Sequence, residues 1–487
     1  MSSQHPIVSG LSTRGYWVSK ASLSDESLDS LKKRLTMTPI SLDMMPGPGG
    51  GGSGGEVTRF PLWRESEKRV YMPKCFGLSE FGACADTSRV DVALREELPF
   101  TGSLRPEQQG PIQQYLDAAH DPARMGGILS LPCGFGKTVA ALYILSQLRV
   151  KAMVVVHKEF LLNQWKERIE QFLPTARIGT IRGKTVDVEG KDVVIAMLQS
   201  LSMKDYDDSV FEGIGFIIVD ECHRIGTEVF SRALINRTFK YSLGISATVD
   251  RKDGMTKAFT YFLGSVLYRG KRRSDDVIIS QLSFRSSDPR YCEMPMIGYG
   301  GMQRPNMSRM INNIAAFPER TEHLVDTIRT VINLSSGPSG SSGCKILVLS
   351  DRKSQLSDVH AALGPELSGF YWGGMKRAAL AESETKRVML ATYPYASEGM
   401  DVPDLDTLIL ASPKSDVQQS VGRILRLKAC DRDRLPMVID IVDRFAMFER
   451  QSLKRAKFYK AHKYTIVKDD LARACANRGD TPLEPPP

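Results

Sequence analysis

The run Gly127-Ile-Leu-Ser-Leu-Pro-Cys-Gly-Phe-Gly-Lys-Thr138, continued by Val139-Ala-Ala-Leu-Tyr-Ile-Leu-Ser-Gln-Leu148, decides the architecture. Its aliphatic start, Gly127–Leu131, has the length of a buried strand, and a helical stretch, Val139–Leu148, follows a glycine turn. Glycines let successive backbone N–H groups turn inward around a phosphate, and the helix N-terminus adds the positive end of its dipole. On this reading Pro132, Cys133, Gly134, Phe135 and Gly136 form a cradle. Lys137 meets the β- and γ-phosphates of ATP, and Thr138 holds Mg²⁺. A strand–loop–helix unit of this kind belongs in a parallel sheet, so the neighbouring aliphatic runs should be its other strands.

Those runs exist on both sides. Ala152–Val156, Val193–Met197, Phe216–Val219 and Ser242–Ile245 alternate with helical stretches. A second series follows at Lys345–Leu349, Gly369–Trp372, Arg387–Ala391, Thr407–Ala411 and Met437–Ile441. The pattern predicts an α/β chain with two doubly wound parallel-sheet domains in tandem, over residues 101–275 and 276–470. Residues 1–100 read as a small N-terminal accessory region interrupted by a Gly-rich linker at 46–55, which cannot bury apolar surface. Ser335–Gly343 reads as a surface loop, and residues 471–487, ending in three prolines, as a disordered tail.

Two further clusters complete an ATP-hydrolysing set. Phe216-Ile-Ile-Val219 runs into Asp220-Glu221, and an acidic pair at the end of a buried strand is costly unless it meets a cation. Asp220 is the candidate Mg²⁺ holder, and Glu221 the candidate to orient and deprotonate the attacking water. Near the other end, Gln419-Ser-Val-Gly-Arg-Ile-Leu-Arg426 places Arg423 and Arg426 three apart, on one face of a predicted helix. Such a pair suits the charge that grows on a transferred phosphate.

Bulk properties set the remaining bounds. The 487 residues suffice for two or three domains, and 42% hydrophobic with 25% charged residues is ordinary for a globular chain. A net charge of +9 favours a polyanionic partner only weakly. No apolar run approaches the roughly 18 residues that would span a bilayer, so no membrane partner is expected. The polar start, Met1–Gly10, is not that of a secretory signal. Eight scattered cysteines without a Cys-x-x-Cys pair fit a reduced intracellular protein without a zinc site.

With these residues in hand the chain resembles the superfamily 2 DEAD/DEAH-type helicases, within the branch of XPB-type DNA helicases and the phage UvsW protein. The signs are Leu104-Arg-Pro-Glu-Gln108, Leu131-Pro-Cys-Gly134, His157-Lys-Glu-Phe-Leu-Leu-Asn-Gln-Trp165, Ser246-Ala-Thr248 and Arg251-Lys-Asp-Gly254. Leu35-Thr-Met-Thr-Pro39, Glu65–Lys74 and Gly77–Gly82 resemble the front end of helicases from nucleocytoplasmic large DNA viruses, the wider group of the poxvirus transcript-release helicases. The resemblance implies two RecA-like domains sharing one ATP site. It implies that Arg105 and Gln108 contact adenine, that Gly399 and Asp401 lie at the ribose and hydrolysis side, and that Gln419 lies near the phosphates. It also implies that His223, Ser246 and Thr248 couple the ATP cleft to a nucleic-acid groove. The activity expected is an ATP-dependent helicase or translocase acting on DNA more than RNA, in viral transcription or transcript release. RNA polymerase or transcription factors would be partners, and the host cytoplasm, nucleus or virion the location. A translocase that displaces transcripts or proteins without unwinding, and a non-catalytic nucleic-acid scaffold, are the alternatives.

For the nucleic acid the candidates are His157, Lys158, Arg182, Gln199 and Ser200 in the first domain, and Arg352 and Thr392 in the second. Arg269-Gly-Lys-Arg-Arg273 could touch phosphate or be a solvated linker. Tyr371-Trp372 could stack a base or pack the core. The basic stretch 444–464 carries Phe445, Phe448, Ala456 and Tyr459 at helical spacing, with Lys454, Arg455, Lys457, Lys460 and Lys463 between them. It reads either as a helix packing its aromatics beneath solvated cations or as an extra nucleic-acid contact.

Overall fold

The computed structural model describes residues 7–38, 59–84, 86–87, 90, 92, 98–132, 134–222, 227–247, 256–270, 277–293, 296–297, 304–335, 343–400, 402–427 and 432–478. The chain forms two compact units, Met1–Arg272 and Arg273–Pro487.

The first unit opens with β1 (Ser9–Ser12), β2 (Gly15–Ser19), α1 (Asp25–Arg34) and β3 (Thr36–Met37), followed by β4 (Phe60–Pro61), β5 (Arg64–Glu65), β6 (Arg69–Met72) and α2 (Lys74–Phe81). Strands β1, β2, β6 and β5 make an antiparallel sheet in that order. β3 pairs with β4, Thr36 opposite Pro61, so the two sides of the Gly-rich segment are held together. Residues 46–55 themselves lie outside the described residues.

This front region has no core of its own. Leu11, Tyr16, Val70 and Phe76 pack in one cluster with Ile128, Ile217 and Phe259 of the large sheet and its helices. At the start of α2, buried Lys74 donates to the carbonyls of Met125 (2.9 Å), Phe239 (3.2 Å) and Lys240 (2.8 Å). Burial holds its ammonium below the usual lysine range. Gly77 is required where α2 crosses β2, because a Cβ there would lie 2.2 Å from the Tyr16 ring.

The remainder of the unit is α3 (Pro106–His120), β7 (Gly126–Ser130), α4 (Lys137–Leu148), β8 (Lys151–Val156), α5 (Glu159–Phe172), β9 (Ile178–Arg182), β10 (Thr185–Asp187), β11 (Val193–Met197), α6 (Leu198–Met203), β12 (Ile214–Asp220), α7 (Thr227–Leu234), β13 (Tyr241–Ser246), α8 (Thr256–Leu263) and β14 (Val266–Arg269). The sheet order is β10-β9-β11-β8-β12-β13-β7-β14, antiparallel only at β10–β9. Every residue of β7, β8, β11 and β12 is buried. Their unbroken aliphatic sequences follow from helices covering both faces.

The second unit contains β15 (Ile278–Phe284), the two-residue β16 (Met296–Ile297) and β17 (Arg304–Pro305), α9 (Met307–Ala316), α10 (Pro318–Ser335), β18 (Ile346–Ser350), α11 (Lys353–Leu363), β19 (Ser368–Tyr371), α12 (Arg377–Thr385), β20 (Val388–Thr392), α13 (Tyr393–Gly399), β21 (Thr407–Leu410), α14 (Gln418–Val421), β22 (Met437–Asp443), α15 (Ala446–Ala461), β23 (Thr465–Lys468) and α16 (Leu471–Arg478). Its seven-stranded sheet is wholly parallel, in the order β19-β20-β18-β21-β22-β15-β23. The sequence pattern omitted β15 and β23; β15 lies between β22 and β23, the last two strands of the chain.

Residues three apart on β22 face opposite sides of the sheet, and each side has a buried ion pair. Asp443 receives Arg320 of α10 (2.8 and 3.1 Å) and the Tyr291 hydroxyl (2.7 Å). Asp440 receives Arg455 of α15 (3.0 and 2.7 Å). Arg455, which the sequence suggested was solvated, is therefore internal, 2% exposed. α16 extends to Arg478, well into the stretch 471–487 taken for a disordered tail. Among the described residues no helix is long and apolar enough to cross a membrane.

Candidate functional site

In a parallel sheet all strands end on one edge, so the chemistry of adjacent carboxyl ends is brought together by topology. β12, β13 and β7 are consecutive in the first sheet. Ser246, the last residue of β13 and fully buried, pairs with Ser130 of β7, and the Leu131 N–H donates to its carbonyl at 2.8 Å. Ser246 thus lies directly between the phosphate loop and the acidic strand end. The other two coupling candidates, His223 and Thr248, lie outside the described residues, as does Cys133 of the loop.

The loop leaves β7 through Pro132, whose carbonyl accepts the Phe135 N–H at 3.2 Å. Gly134 and Gly136 have φ of 79° and 84°, the left-handed region that glycine enters without strain. A Cβ on Gly136 would also lie 2.6 Å from Gln108 Nε2. Gly136 is the residue before α4, so Lys137 and Thr138 are its first two residues. Arg105 and Gln108 sit at the start of α3, where the Arg105 N–H donates to Gln108 Oε1 at 2.8 Å. Both side chains hold the loop by its carbonyls: Gln108 Nε2 donates to Phe135 at 2.8 Å, and Arg105 to Gly134 at 3.1 Å and to Phe135.

The acidic pair closes the other side. Asp220 is the last residue of β12 and only 8% exposed. Burial, with the neighbouring Glu221 carboxylate, pushes its carboxyl up to about 6, against the pull of Lys137 and a hydrogen bond from Trp165. The Trp165 indole N–H donates to Asp220 Oδ2 at 2.9 Å. Glu221 has φ of +48°, which turns the chain sharply at the strand end. Its Oε1 accepts from the Lys137 ammonium, with both side chains about five-sixths buried. Lysine and acid pair therefore meet in one desolvated pocket edge. Hard oxygen donors, Asp220 and the Thr138 hydroxyl, with Asp220 pushed by burial toward its neutral form, make a set that fits a magnesium ion.

In the second unit the predicted helix around Arg423 and Arg426 is short. α14 ends at Val421, and Gly422–Leu425 continue as a tighter 3₁₀ turn. The two guanidinium groups still converge: Arg423 donates to the Met400 carbonyl at 2.6 Å, and Arg426 donates to the same oxygen. Gly399 is the last residue of α13, next to that carbonyl, and Asp401 lies outside the described residues. Gln419 lies on α14, its buried Oε1 without a hydrogen-bond donor.

The nucleic-acid candidates of the first unit also gather on the carboxyl edge, where β9, β11 and β8 are neighbours. His157 and Lys158 follow β8, and Lys158 is the residue before α5. Arg182 ends β9 and pairs with Glu159 at 2.7 Å. Gln199 and Ser200 lie on α6, where the Ser200 hydroxyl accepts the Gly183 N–H at 2.8 Å. In the second unit, Thr392 of β20 pairs with Ser350 of β18, two residues before Arg352. The Arg352 guanidinium is held by Asn312 and by Ser308 Oγ at 3.2 Å.

Two residues of these edges were not singled out by the sequence. Trp165 was quoted only as part of a motif, and nothing local reveals that an aspartate 55 residues away accepts its N–H. Lys414 follows β21, the same position-after-strand signal used for the other candidates; its ammonium lies 3.2 Å from Asp351 and 5.0 Å from the Tyr393 ring. Tyr371 is buried and Trp372 packs on Phe370 at 4.3 Å, so these rings belong to the core. Of the basic run near the end of the first unit, 271–273 lie outside the described residues.

Residues 101–251 match the family model of the type III restriction enzyme res subunit. A protein of Acanthamoeba polyphaga mimivirus, provisionally named an ATP-dependent RNA helicase L396, is 32% identical over 93% of this chain and 85% of its own length. A protein of African swine fever virus, provisionally named an ATP-dependent RNA helicase QP509L, is 24% identical over 70% of this chain and 69% of its own. Among solved structures, S. cerevisiae Dbp5 bound to RNA and ADP BeF3 aligns with a TM-score of 0.52 at 12% identity, covering 77% of this chain and 97% of that one. That likeness carries the fold alone, two RecA-like domains in tandem.

Proposed function

Because the chain belongs to the superfamily 2 ATP-dependent helicases related to those of large DNA viruses, we propose that it is an ATP-driven motor that moves along DNA. The observation that carries this reading is the meeting of Lys137, Glu221 and Asp220 at the edge that also bears Arg182, Lys158 and Ser200.

In this mechanism the N–H groups of Gly134–Thr138 and the Lys137 ammonium bind the phosphates of ATP, which requires Lys137 to leave Glu221. Glu221, so released, orients a water and takes its proton as the oxygen attacks the γ-phosphorus. The bond to the bridging oxygen breaks, and ADP and phosphate leave. Asp220 and Thr138 would hold magnesium, which supplies charge neutralisation at the phosphates. Arg423 and Arg426 stabilise charge on the transferred group, and Gln419 lies with them. Arg105 and Gln108 exchange the loop carbonyls for adenine. Ser246 and its neighbours carry the change in the loop to the strand ends where nucleic acid is gripped.

The motif set shared with DNA helicases supports DNA as the track; the names of the viral relatives favour RNA as the second reading. ATPase measured with single- and double-stranded DNA and RNA separates them. Stimulation by DNA above RNA is expected, RNA alone would replace the reading, and none by either would sink the motor. Strand displacement compared with release of a transcript from a stalled polymerase then distinguishes unwinding from the transcript-release role that the viral front-end motifs support.

A further inference from the structure

Residues 444–463 contain seven cations and one carboxylate, six of the nine net positive charges of the whole chain. Three of the eight are consumed locally: Arg455 is buried on Asp440, and Glu449 pairs with Arg444 at 3.2 Å. The inner face of α15 is fixed by Phe448, Ser452, Arg455 and Tyr459, all buried. The outer face carries Arg450, Leu453, Lys454, Lys457 and Lys460, all exposed, Leu453 by 65%. None of Arg450, Lys454, Lys457, Lys460 or Lys463 has a carboxylate partner among the described residues.

Like charges three or four apart on a helix repel. Solubility is served as well by mixed signs, which would strengthen the helix instead. A single-sign stripe about 15 Å long from Arg450 to Lys460, at 1.5 Å rise per residue, is therefore a feature the fold carries at a cost. The stripe also has a definite neighbour. Arg455 donates to the carbonyl of Lys414, which stands beside Asp351 and the Tyr393 ring, next to Arg352 and Thr392. Through its inner face α15 is thus anchored beside the edge on which the second unit would grip nucleic acid.

We propose that the outer face of α15 is a second nucleic-acid surface, and that its occupant is the phosphate backbone of a duplex. Single-strand sites combine cations with exposed rings on which bases stack. Here Phe448 and Tyr459 are buried, and Phe458 is packed against Tyr464 and His462. What remains outside is ammonium and guanidinium groups around one leucine, suited to phosphates and without base readout. The identity of the polyanion rests on the reading of the chain as a nucleic-acid motor; the position and charge of the face do not.

The test is the full-length Arg450→Gln, Lys454→Gln, Lys457→Gln, Lys460→Gln variant, with the Lys→Arg variant at 454, 457 and 460 as its partner. Binding is measured to a blunt 25-base-pair DNA duplex and to a 25-nucleotide single strand across a salt series, beside ATPase. The expected result is a slope of log affinity against log salt shallower by about 3 to 4 on duplex, from ~0.9 per lost phosphate contact, and at least ~tenfold weaker duplex binding. Single-strand affinity and single-strand-stimulated ATPase should stay within about twofold, and the arginine variant should match the parent. Unchanged duplex binding, or an equal loss on single strand and duplex, overturns the proposal. So does displacement by polyglutamate from a face that duplex does not occupy, which would assign it to an acidic protein. A parent without nucleic-acid-stimulated ATPase would refute the motor instead, leaving the duplex measurement to stand by itself.

Discussion

Replacing Asp220 by Asn should make the first unit more stable while ending turnover. The Asp220 carboxyl rises from 3.8 to about 6 in the folded chain, chiefly through burial and Glu221. At roughly 1.4 kcal/mol per tenfold change in proton affinity, keeping it ionised costs the fold about 3 kcal/mol. The folded state holds this proton more tightly than the unfolded one, so the cost is absent below pH ~4, where both are protonated. It grows between pH ~4 and 6 as the unfolded chain ionises first, and is complete above about pH 6. Asparagine never ionises, and its amide oxygen can still accept the Trp165 indole N–H that now reaches Oδ2 at 2.9 Å. In chelator-containing buffer the variant should be more stable by about 3 kcal/mol at pH 8, or roughly 6 °C or more for a unit of this size. The difference should shrink to about 1 kcal/mol at pH 4.5. Because two units need not unfold together, the readout is hydrogen exchange of peptides spanning β12 under denaturant, at pH values from 4.5 to 8 after correction for intrinsic rates. A variant less stable than the parent at pH 8, or a difference that does not change with pH, would refute the argument.

Trp165→Phe keeps the ring and deletes the donor, so it should lower ATPase by about tenfold or more, for the loss of about 1.5–3 kcal/mol from a charged acceptor, with polynucleotide affinity unchanged. Lys137→Ala and Glu221→Gln should each abolish turnover, but Glu221→Gln should still bind a fluorescent ATP analogue and Lys137→Ala should not; wild-type turnover in either refutes the assignment. Arg423→Ala should lower kcat by about 10³-fold with nucleotide affinity nearly unchanged, as single-turnover hydrolysis would show. Lys74→Met removes the shared donor of three carbonyls, of which Met125 keeps the Ser242 N–H, and should destabilise the first unit by about 1–3 kcal/mol, read as a lower midpoint in urea.

The phosphate loop and the acidic strand end were legible because each is local. Strand, glycine turn and helix are contiguous from Gly126 to Leu148, and Asp220-Glu221 closes an aliphatic run, so one window reveals each piece and a parallel sheet does the rest. What sequence hid is pairing at a distance. Arg455 among lysines looks like another solvated cation until Asp440 is found beneath it, and Arg320 meets Asp443 from 123 residues away. Lys74 is hidden in the same way: its partners are carbonyls, which carry no sequence signature at all. The front region looked separable for that reason, and because each of its strands is too short to announce a shared core. The arginine face survived a wrong detail, since a 3₁₀ turn also brings Arg423 and Arg426 to one side.

The pairing of Thr36 with Pro61 has a consequence for how such chains can drift. A segment whose two roots are clasped by a ladder can be lengthened or trimmed with little penalty, about 0.6 kcal/mol for each doubling of the excursion. Insertions and deletions between residues 38 and 59 should therefore accumulate across descendants faster than anywhere else in the first 130 positions. The same spot will accept a reporter tag or a protease site, and the severed halves will stay joined by the strands on either side.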